Sequence, residues 1–200
     1  MLLGSVVLAG GRSRRMGRPK ESLPIAGNTL LGLMVERLLL TTYPVIVLAR
    51  DEEQELPPLP VECEVAFDSR PGAGPMHALR DALRLQEGRC DAVLVTGCDF
   101  PFFSERAIGW LAAQLGSHAA VVPQAGGRLQ PLCAIYRTSL LPRVEALIAD
   151  GVDTIRTVAE EPDVLVLGED ALRAFDPELK FLRNVNDPDS YEAARAELGE

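Results

Sequence analysis

The chain has 200 residues, of which 47% are hydrophobic, so it is long enough to bury a full core and is predicted to form one domain, residues 1–200. Its formal net charge of -9 argues against nucleic acid as the main partner, because binding to a phosphate backbone requires clustered excess Lys and Arg. No apolar run approaches the roughly 20 residues that span a bilayer, and no secretion signal is apparent, so we expect a cytoplasmic protein that binds no membrane.

Short β-branched segments alternate with helical patterns in the first half of the chain. The pattern predicts a strand at 5–9, a helix at 30–40 and further strands at 44–49 and 61–67. Residues 51–60 are acidic and rich in proline, so they are predicted to form a surface loop. This alternation is typical of βαβ units and of a largely parallel sheet.

The second half of the chain continues the alternation. It predicts a helix at 75–85, a strand at 91–96, a helix at 105–115 capped by Ser104, strands at 119–122 and 132–136, a helix at 140–150, a strand at 164–167 and a last helix from Asp187. Residues 124–128 are turn-prone and predict a hairpin that brings an antiparallel element into the sheet. The expected architecture is α/β, with a mostly parallel sheet, one antiparallel element and helices on both faces.

The first predicted strand runs into a glycine-rich basic loop, residues 8–20. Gly10 and Gly11 allow backbone N–H groups to approach an anion closely. Five cations then follow within nine residues of a chain that is acidic elsewhere, namely Arg12, Arg14, Arg15, Arg18 and Lys20. The spacing matches neither a Walker A motif nor a GxGxxG fingerprint. The loop favours a phosphate-binding site, and a tight turn or a solvated basic loop without a ligand remains the alternative.

Two carboxylates follow other predicted strands of the same sheet. Asp68 comes directly after the strand at 61–67, and Asp99 comes just after the strand at 91–96. Because ligands of open α/β sheets bind outside the carboxyl ends of the strands, we expect Gly10, Asp68 and Asp99 to line one cleft. A hard divalent cation prefers oxygen ligands, so Asp99 is the predicted metal residue, the alternative being a helix cap.

Several motifs together resemble the MobA-like nucleotidyltransferases, the family that includes molybdenum cofactor guanylyltransferase. The signature loop of that family resembles Leu8-Ala9-Gly10-Gly11, Arg15-Met16-Gly17 and Lys20. The resemblance extends along nearly the whole chain, through Gly74-Pro75, Cys98-Asp99-Phe100-Pro101, the stretch 130–136 and the stretch 181–188. It implies a Rossmann-like nucleotidyltransferase fold.

The resemblance also implies a reaction and a set of site residues. GTP and molybdopterin would be the substrates and Mg²⁺ the cofactor, with GMP transferred to the molybdopterin phosphate and pyrophosphate released. The nucleotide would bind Leu8, Ala9, Gly10 and Gly11, with Lys20 on its phosphates, Asp68 at the guanine and Asp99 on Mg²⁺. Lys20 and Arg15 would stabilise the departing pyrophosphate. Gln130, Asn184 and Asn186 would contact the pterin substrate, with a turn-forming role as the alternative. Proteins that transfer the cofactor are possible partners.

Some positions leave alternatives open. Pro19 precedes the loop lysine, as is more typical of the cytidylyltransferase branch, whereas Gly10 favours the guanylyl form. A CTP-dependent molybdopterin cytidylyltransferase, another small-molecule nucleotidyltransferase and a catalytically silent nucleotide-binding paralogue therefore remain candidates. His77, which stands where the family has a small residue, is expected to be a packed, hydrogen-bonded side chain, with substrate contact as its alternative.

Overall fold

The computed structural model describes residues 1–11 and 16–199. Over these residues the strands are β1 (Leu3–Leu8), β2 (Pro24–Ile25), β3 (Asn28–Thr29), β4 (Val45–Ala49), β5 (Cys63–Phe67), β6 (Ala92–Gly97), β7 (Ala120–Ala125), β8 (Arg128–Leu129), β9 (Cys133–Arg137) and β10 (Val164–Leu167). The α-helices are α1 (Leu30–Leu39), α2 (Pro75–Gln86), α3 (Glu105–Leu115), α4 (Leu141–Ala149), α5 (Glu169–Phe175) and α6 (Pro188–Glu197). Every strand and helix that the sequence predicts is present, with ends shifted by a few residues.

The main sheet has the strand order β10-β7-β9-β6-β1-β4-β5. Its central strands are parallel: β1 pairs with β4 and with β6, and β4 pairs with β5. Only β9 along this order runs antiparallel to its neighbours β6 and β7, while β10 is parallel to β7. The predicted mostly parallel sheet with an antiparallel element is confirmed.

The predicted hairpin at 124–128 forms, but it has a different second strand. Gly126 and Gly127 both have positive φ, 55° and 71°, which a two-residue turn of type I′ requires. The turn pairs β7 with the short β8, and the chain reaches β9 only after an interruption at Pro131, which has no N–H to donate to a ladder. The sequence predicted that the hairpin joins the strands at 119–122 and 132–136 directly, and it missed the short strand β8 between them.

The core lies on both faces of the sheet. Side chains of the central strands alternate: Val7 and Leu94 face a cluster with α1 and α3, whereas Val6 and Val95 face a cluster with α2 and α4. Burial on both faces explains why these strands read as continuous apolar runs, and it confirms the predicted helices on both faces. No helix among residues 1–11 and 16–199 is long and apolar enough to cross a bilayer.

A third, smaller core joins the two ends of the chain. The two-stranded sheet of β2 and β3 packs with α6, and the shared cluster includes Leu23, Ile25, Val185 and Tyr191. The Tyr191 hydroxyl donates a hydrogen bond to the Pro24 carbonyl. Sequence patterns did not predict β2 and β3, because a strand of two residues carries no readable alternation. This packing brings the segment before α6 to the end of the glycine-rich loop.

Candidate active site

A cleft of about 550 Å³ opens at the carboxyl ends of the parallel strands. Residues 8–11 at the end of β1, Asp68 directly after β5 and residues 97–99 at the end of β6 all line it. The structure thus brings together the three strand ends that the sequence predicted to converge, as expected for a ligand cleft in an open α/β sheet.

The chain segment directly after β1, Ala9-Gly10-Gly11, is here called the glycine turn, and it packs tightly against the end of β4. The Ala9 N–H donates to the Leu48 carbonyl at 3.0 Å. A Cβ on Gly10 would lie 3.3 Å from the Cα and the N of Arg50, which is closer than most real Cβ contacts. A Cβ on Gly11 would meet no atom of residues 1–11 and 16–199 within 4 Å, so these residues leave space beside it. The turn is anchored on one side and leaves its other side accessible to a ligand.

Lys20, Asp99 and Asn186 meet in the cleft from three distant parts of the chain. The Lys20 Nζ donates to Asp99 Oδ2 at 3.1 Å and to Asn186 Oδ1 at 2.7 Å. The Lys20 and Asp99 side chains are only 15% and 20% exposed, so the pair is weakly screened by solvent. The Val185 N–H donates to the Asp99 carbonyl at 2.8 Å, which ties the segment before α6 to the end of β6.

Gly97 makes room for the Asp99 carboxylate. A Cβ at position 97 would lie 2.5 Å from Asp99 Oδ1, a separation that real Cβ atoms do not show. Any side chain at this position therefore requires the carboxylate to move. The sequence Gly97-Cys98-Asp99, which begins with the last residue of β6, accommodates this position of the carboxylate because its first residue has no side chain.

We expect Gly97→Ala to lower activity by about tenfold to a hundredfold with little loss of stability, because it displaces the carboxylate from Lys20. Steady-state turnover and thermal unfolding measure the two effects. Gly109→Ala in α3 is the matched control, since its Cβ would meet no atom of the described residues within 4 Å and the helical position should gain up to about 1 kcal/mol in stability. Unchanged activity in Gly97→Ala would contradict the role given to the Asp99 position.

Asp68 lines the cleft, and hydrogen bonds fix its backbone and its carboxylate. Its N–H donates to the Ala49 carbonyl at 2.8 Å, and its Oδ1 accepts from the Arg70 N–H at 2.8 Å. The next residue, Ser69, donates its N–H and its hydroxyl to the buried carboxylate of Asp81 at 2.8 and 3.1 Å. A carboxylate has up to four acceptor positions, so Asp68 retains capacity for a ligand N–H.

Cys98 also lines the cleft, between Gly97 and Asp99. Burial raises the pKa of its thiol far above the usual range, and the neighbouring Asp99 charge raises it further. The thiolate is the nucleophilic form of cysteine. Cys98 therefore stays a neutral thiol, and it offers the cleft no covalent nucleophile.

Comparison with known proteins decides the family. Residues 5–166, most of the chain, match the family described as MobA-like NTP transferase domain. The chain belongs to this family. A relative from Mycobacterium tuberculosis, named probable molybdenum cofactor guanylyltransferase, is 39% identical over 188 residues; the match covers 92% of this chain and 89% of the relative.

Two solved structures resemble this MobA-like NTP transferase over nearly its whole length. Molybdopterin-guanine dinucleotide biosynthesis protein A from Archaeoglobus fulgidus has a TM-score of 0.77 at 25% identity, with 97% of each chain covered. The 2-C-methyl-D-erythritol 4-phosphate cytidylyltransferase from Thermus thermophilus has a TM-score of 0.72 at 19% identity, with 99% of each chain covered. The Rossmann-like nucleotidyltransferase fold is confirmed. Because the two proteins are named for different nucleotides, the fold does not by itself identify the nucleotide.

Of the remaining predicted site residues, some line the cleft and others do not. Arg15 lies outside the described residues. Asn186 lines the cleft, whereas Asn184 is exposed and is not among the lining residues. Gln130 is half-buried and donates its N–H to the Pro123 carbonyl, and Leu132 rather than Gln130 lines the cleft. The structure therefore brings only one of the three predicted substrate residues to the cleft wall.

Two further residues, Arg18 and His77, have structural surroundings that the sequence did not specify. The Arg18 guanidinium lies over the Tyr191 ring of α6, 5.9 Å from its centroid. His77 is buried in the first turn of α2, as expected. Its Nδ1 has no hydrogen-bond partner among the described residues, so the expected hydrogen bond at this atom is not found there.

Sequence reasoning missed Glu21, a nearly buried carboxylate in the cleft wall directly after the loop lysine. Its position beside Lys20 in an otherwise basic loop was a signal that could have identified it. Leu48 and Ala49 also line the cleft, because β4 ends beside the glycine turn. Gly72 and Gly74 line it from the loop before α2, where their positive φ values of 83° and 101° favour glycine.

Proposed function

We propose that the protein transfers GMP from GTP to the phosphate of molybdopterin, which yields the guanine dinucleotide cofactor and pyrophosphate. The observation that carries the proposal is the meeting of Lys20 with Asp99 and Asn186 in a cleft that the glycine turn also lines. The relative that is 39% identical and named for this reaction supports the choice of substrates. We place the reaction in the cytoplasm, with cofactor-transfer proteins as its partners.

The donor set in the cleft fits a divalent cation bound jointly with substrate. Asp99 is a half-buried carboxylate on the cleft wall, and Gly97 leaves space for its Oδ1. Residues 1–11 and 16–199 contain no cluster of three or more His, Cys, Asp or Glu that forms a closed metal cage. Mg²⁺ is typically held by one or two carboxylates together with substrate phosphates. Asp99 would therefore hold Mg²⁺, which supplies charge neutralisation at the phosphates when bound.

The protein's own groups bind and orient the nucleotide. The glycine turn offers backbone N–H groups to the phosphates, as at other anion sites formed by consecutive N–H groups. Lys20 places a positive charge in a weakly screened part of the cleft, where it neutralises charge on the phosphates and on the departing pyrophosphate. We assign Arg15 to the same pyrophosphate. Asp68 accepts hydrogen bonds from the N1–H and the N2 amino group of guanine.

The transfer itself is direct. A phosphate oxygen of molybdopterin attacks the α-phosphorus, and the bond between the α-phosphorus and the bridging oxygen of pyrophosphate breaks in line. The neutral thiol of Cys98 fits this scheme, because no covalent enzyme intermediate is needed. Asn186 accepts from Lys20 in the cleft wall and orients it, and we assign Asn186, Gln130 and Asn184 to contacts with the pterin. Positioning and charge stabilisation therefore account for the catalysis.

The second candidate donor is CTP, which Pro19 directly before Lys20 favours. Guanine donates from N1 and N2, whereas cytosine offers Asp68 no such pair of donors in the same geometry. We expect GTP with Mg²⁺ to raise the thermal stability of the protein much more than CTP does. A nucleotide at 100 times its dissociation constant adds about 2.7 kcal/mol of stability. A titration in which CTP stabilises the protein at lower concentration than GTP would reverse the assignment of the donor.

A further inference from the structure

The side chain of Gln54 connects both ends of the glycine-rich loop. Its Nε2 donates to the Ala9 carbonyl at 2.9 Å and to Glu21 Oε1 at 2.6 Å. Its Oε1 accepts from the Arg50 N–H at 2.7 Å. One side-chain amide thus uses both N–H donors and its carbonyl oxygen on three separate segments. Gln54 lies in the acidic, proline-rich segment 51–60, in which the sequence indicated no functional residue.

The bond to Ala9 fixes the orientation of the glycine turn. Ala9 and Gly10 share one planar peptide unit, so a fixed Ala9 carbonyl also fixes the direction of the Gly10 N–H. Gln54 also holds the Arg50 N–H, and the Arg50 backbone lies so close to Gly10 that a Cβ there would come within 3.3 Å of it. The Ala9–Gly10 peptide is therefore set relative to the end of β4 through a single side chain.

The bond to Glu21 fixes the other end of the loop. Glu21 is only 5% exposed, and a buried carboxylate requires hydrogen-bond donors. Its backbone carbonyl accepts from the Leu31 N–H at 3.2 Å, so the residue is anchored on α1 from one side and by Gln54 from the other. Lys20 directly precedes it. The position of Lys20 relative to the glycine turn depends on this anchor.

We infer that Gln54, together with Glu21, is a positioning residue for nucleotide binding, which holds the glycine turn and Lys20 at the separation that a triphosphate requires. The inference rests on the proposed nucleotide site. Gln54 is not itself placed on the nucleotide. It acts through Ala9 and Glu21, both of which line the cleft.

The direct test is calorimetric titration of GTP with Mg²⁺ into the full-length protein, with no acceptor present. Gln54→Met keeps the charge and nearly the volume but removes all three hydrogen bonds, and we expect GTP to bind about tenfold more weakly. Glu55→Gln is the matched control, because Glu55 is an exposed neighbour in the same segment. Its affinity for GTP should change by less than about twofold.

A reciprocal exchange separates positioning from folding. Gln54→Glu places a second carboxylate beside Glu21, so we expect it to bind GTP more weakly than Gln54→Met does. As the pH falls from about 8 to about 6, the pair of carboxylates takes up a proton, and the affinity for GTP relative to the unaltered protein should partly recover. The double variant Gln54→Glu with Glu21→Gln has the original net charge. In it the amide at position 21 can donate a hydrogen bond to the carboxylate at position 54. The double variant should bind GTP more tightly than Gln54→Glu alone.

The outcomes distinguish this inference from the proposed function. If the Gln54 variants lower the unfolding temperature yet bind GTP as tightly as the unaltered protein, the positioning role is wrong while the function stands. If the double variant binds no better than Gln54→Glu, the coupling through Glu21 is wrong. If GTP binds and depends on Gln54 but molybdopterin is never modified, the proposed reaction fails and the positioning role stands. If the unaltered protein binds no nucleotide, both fail.

Discussion

Lys20→Ala is expected to lower kcat/KM by about 10²-fold to 10³-fold or more while the protein stays folded. The ammonium group is the cation that the structure places beside Asp99, at 3.1 Å, in a cleft where solvent screens it weakly. Without it, negative charge on the triphosphate and on the departing pyrophosphate lacks its main side-chain counterion among the described residues. Loss of this partly buried ion pair should reduce stability by only about 1 kcal/mol, since both groups retain some access to water.

Pyrophosphate release measures the activity of Lys20→Ala, and thermal unfolding measures its stability. Lys180→Ala is the matched control, because Lys180 is the other lysine of the chain and pairs with Glu197 at 2.7 Å on the surface, away from the cleft. Its activity should be unchanged. Turnover of Lys20→Ala within a few-fold of the unaltered protein would remove Lys20 from the catalytic groups.

Asp99→Asn is expected to have a comparable effect, a loss of about 10²-fold or more in kcat. The substitution preserves shape and leaves Asn186 as a partner for Lys20, but it removes the negative charge that a divalent cation requires. Raising the Mg²⁺ concentration should therefore restore little activity. Initial rates across a Mg²⁺ titration provide the measurement.

The control for Asp99→Asn is Asp91→Asn. Asp91 directly precedes β6, whereas Asp99 follows the other end of the strand. Asp91 is exposed, and its Oδ2 accepts from the Leu2 N–H at 2.6 Å, so it belongs to the amino ends of the strands rather than to the cleft. Normal activity is expected there. Full recovery of Asp99→Asn at high Mg²⁺ would mean that the carboxylate contributes only affinity for the metal, and a normal rate at ordinary Mg²⁺ would exclude Asp99 from the site.

The strand ends were predictable because sheet geometry is general. Strands buried on both faces read as apolar runs, and the residues that follow parallel strands meet at one edge. The two glycines after β1 and the Asp two residues after β6 could therefore be predicted to line the same cleft. The family resemblance then predicted that Lys20 belongs there, and the structure brings it to Asp99.

Other parts of the site depend on long-range contacts that no local pattern contains. Asn184 and Asn186 are two residues apart and chemically identical, yet only Asn186 reaches the cleft wall. The residue between them decides this: Val185 is 1% exposed in the third core, and its N–H bonds to the Asp99 carbonyl. Gln54 is likewise one polar residue of an acidic loop, and its three partners come from separate segments.

The central claim concerns the reaction, and the most direct measurement is pyrophosphate release by the purified protein with each of the four ribonucleoside triphosphates, with and without molybdopterin, in the presence of Mg²⁺. The account predicts release with GTP that requires molybdopterin and is matched by formation of the guanine dinucleotide cofactor. Release with CTP in preference to GTP, or GTP binding without release in the presence of molybdopterin, would contradict it.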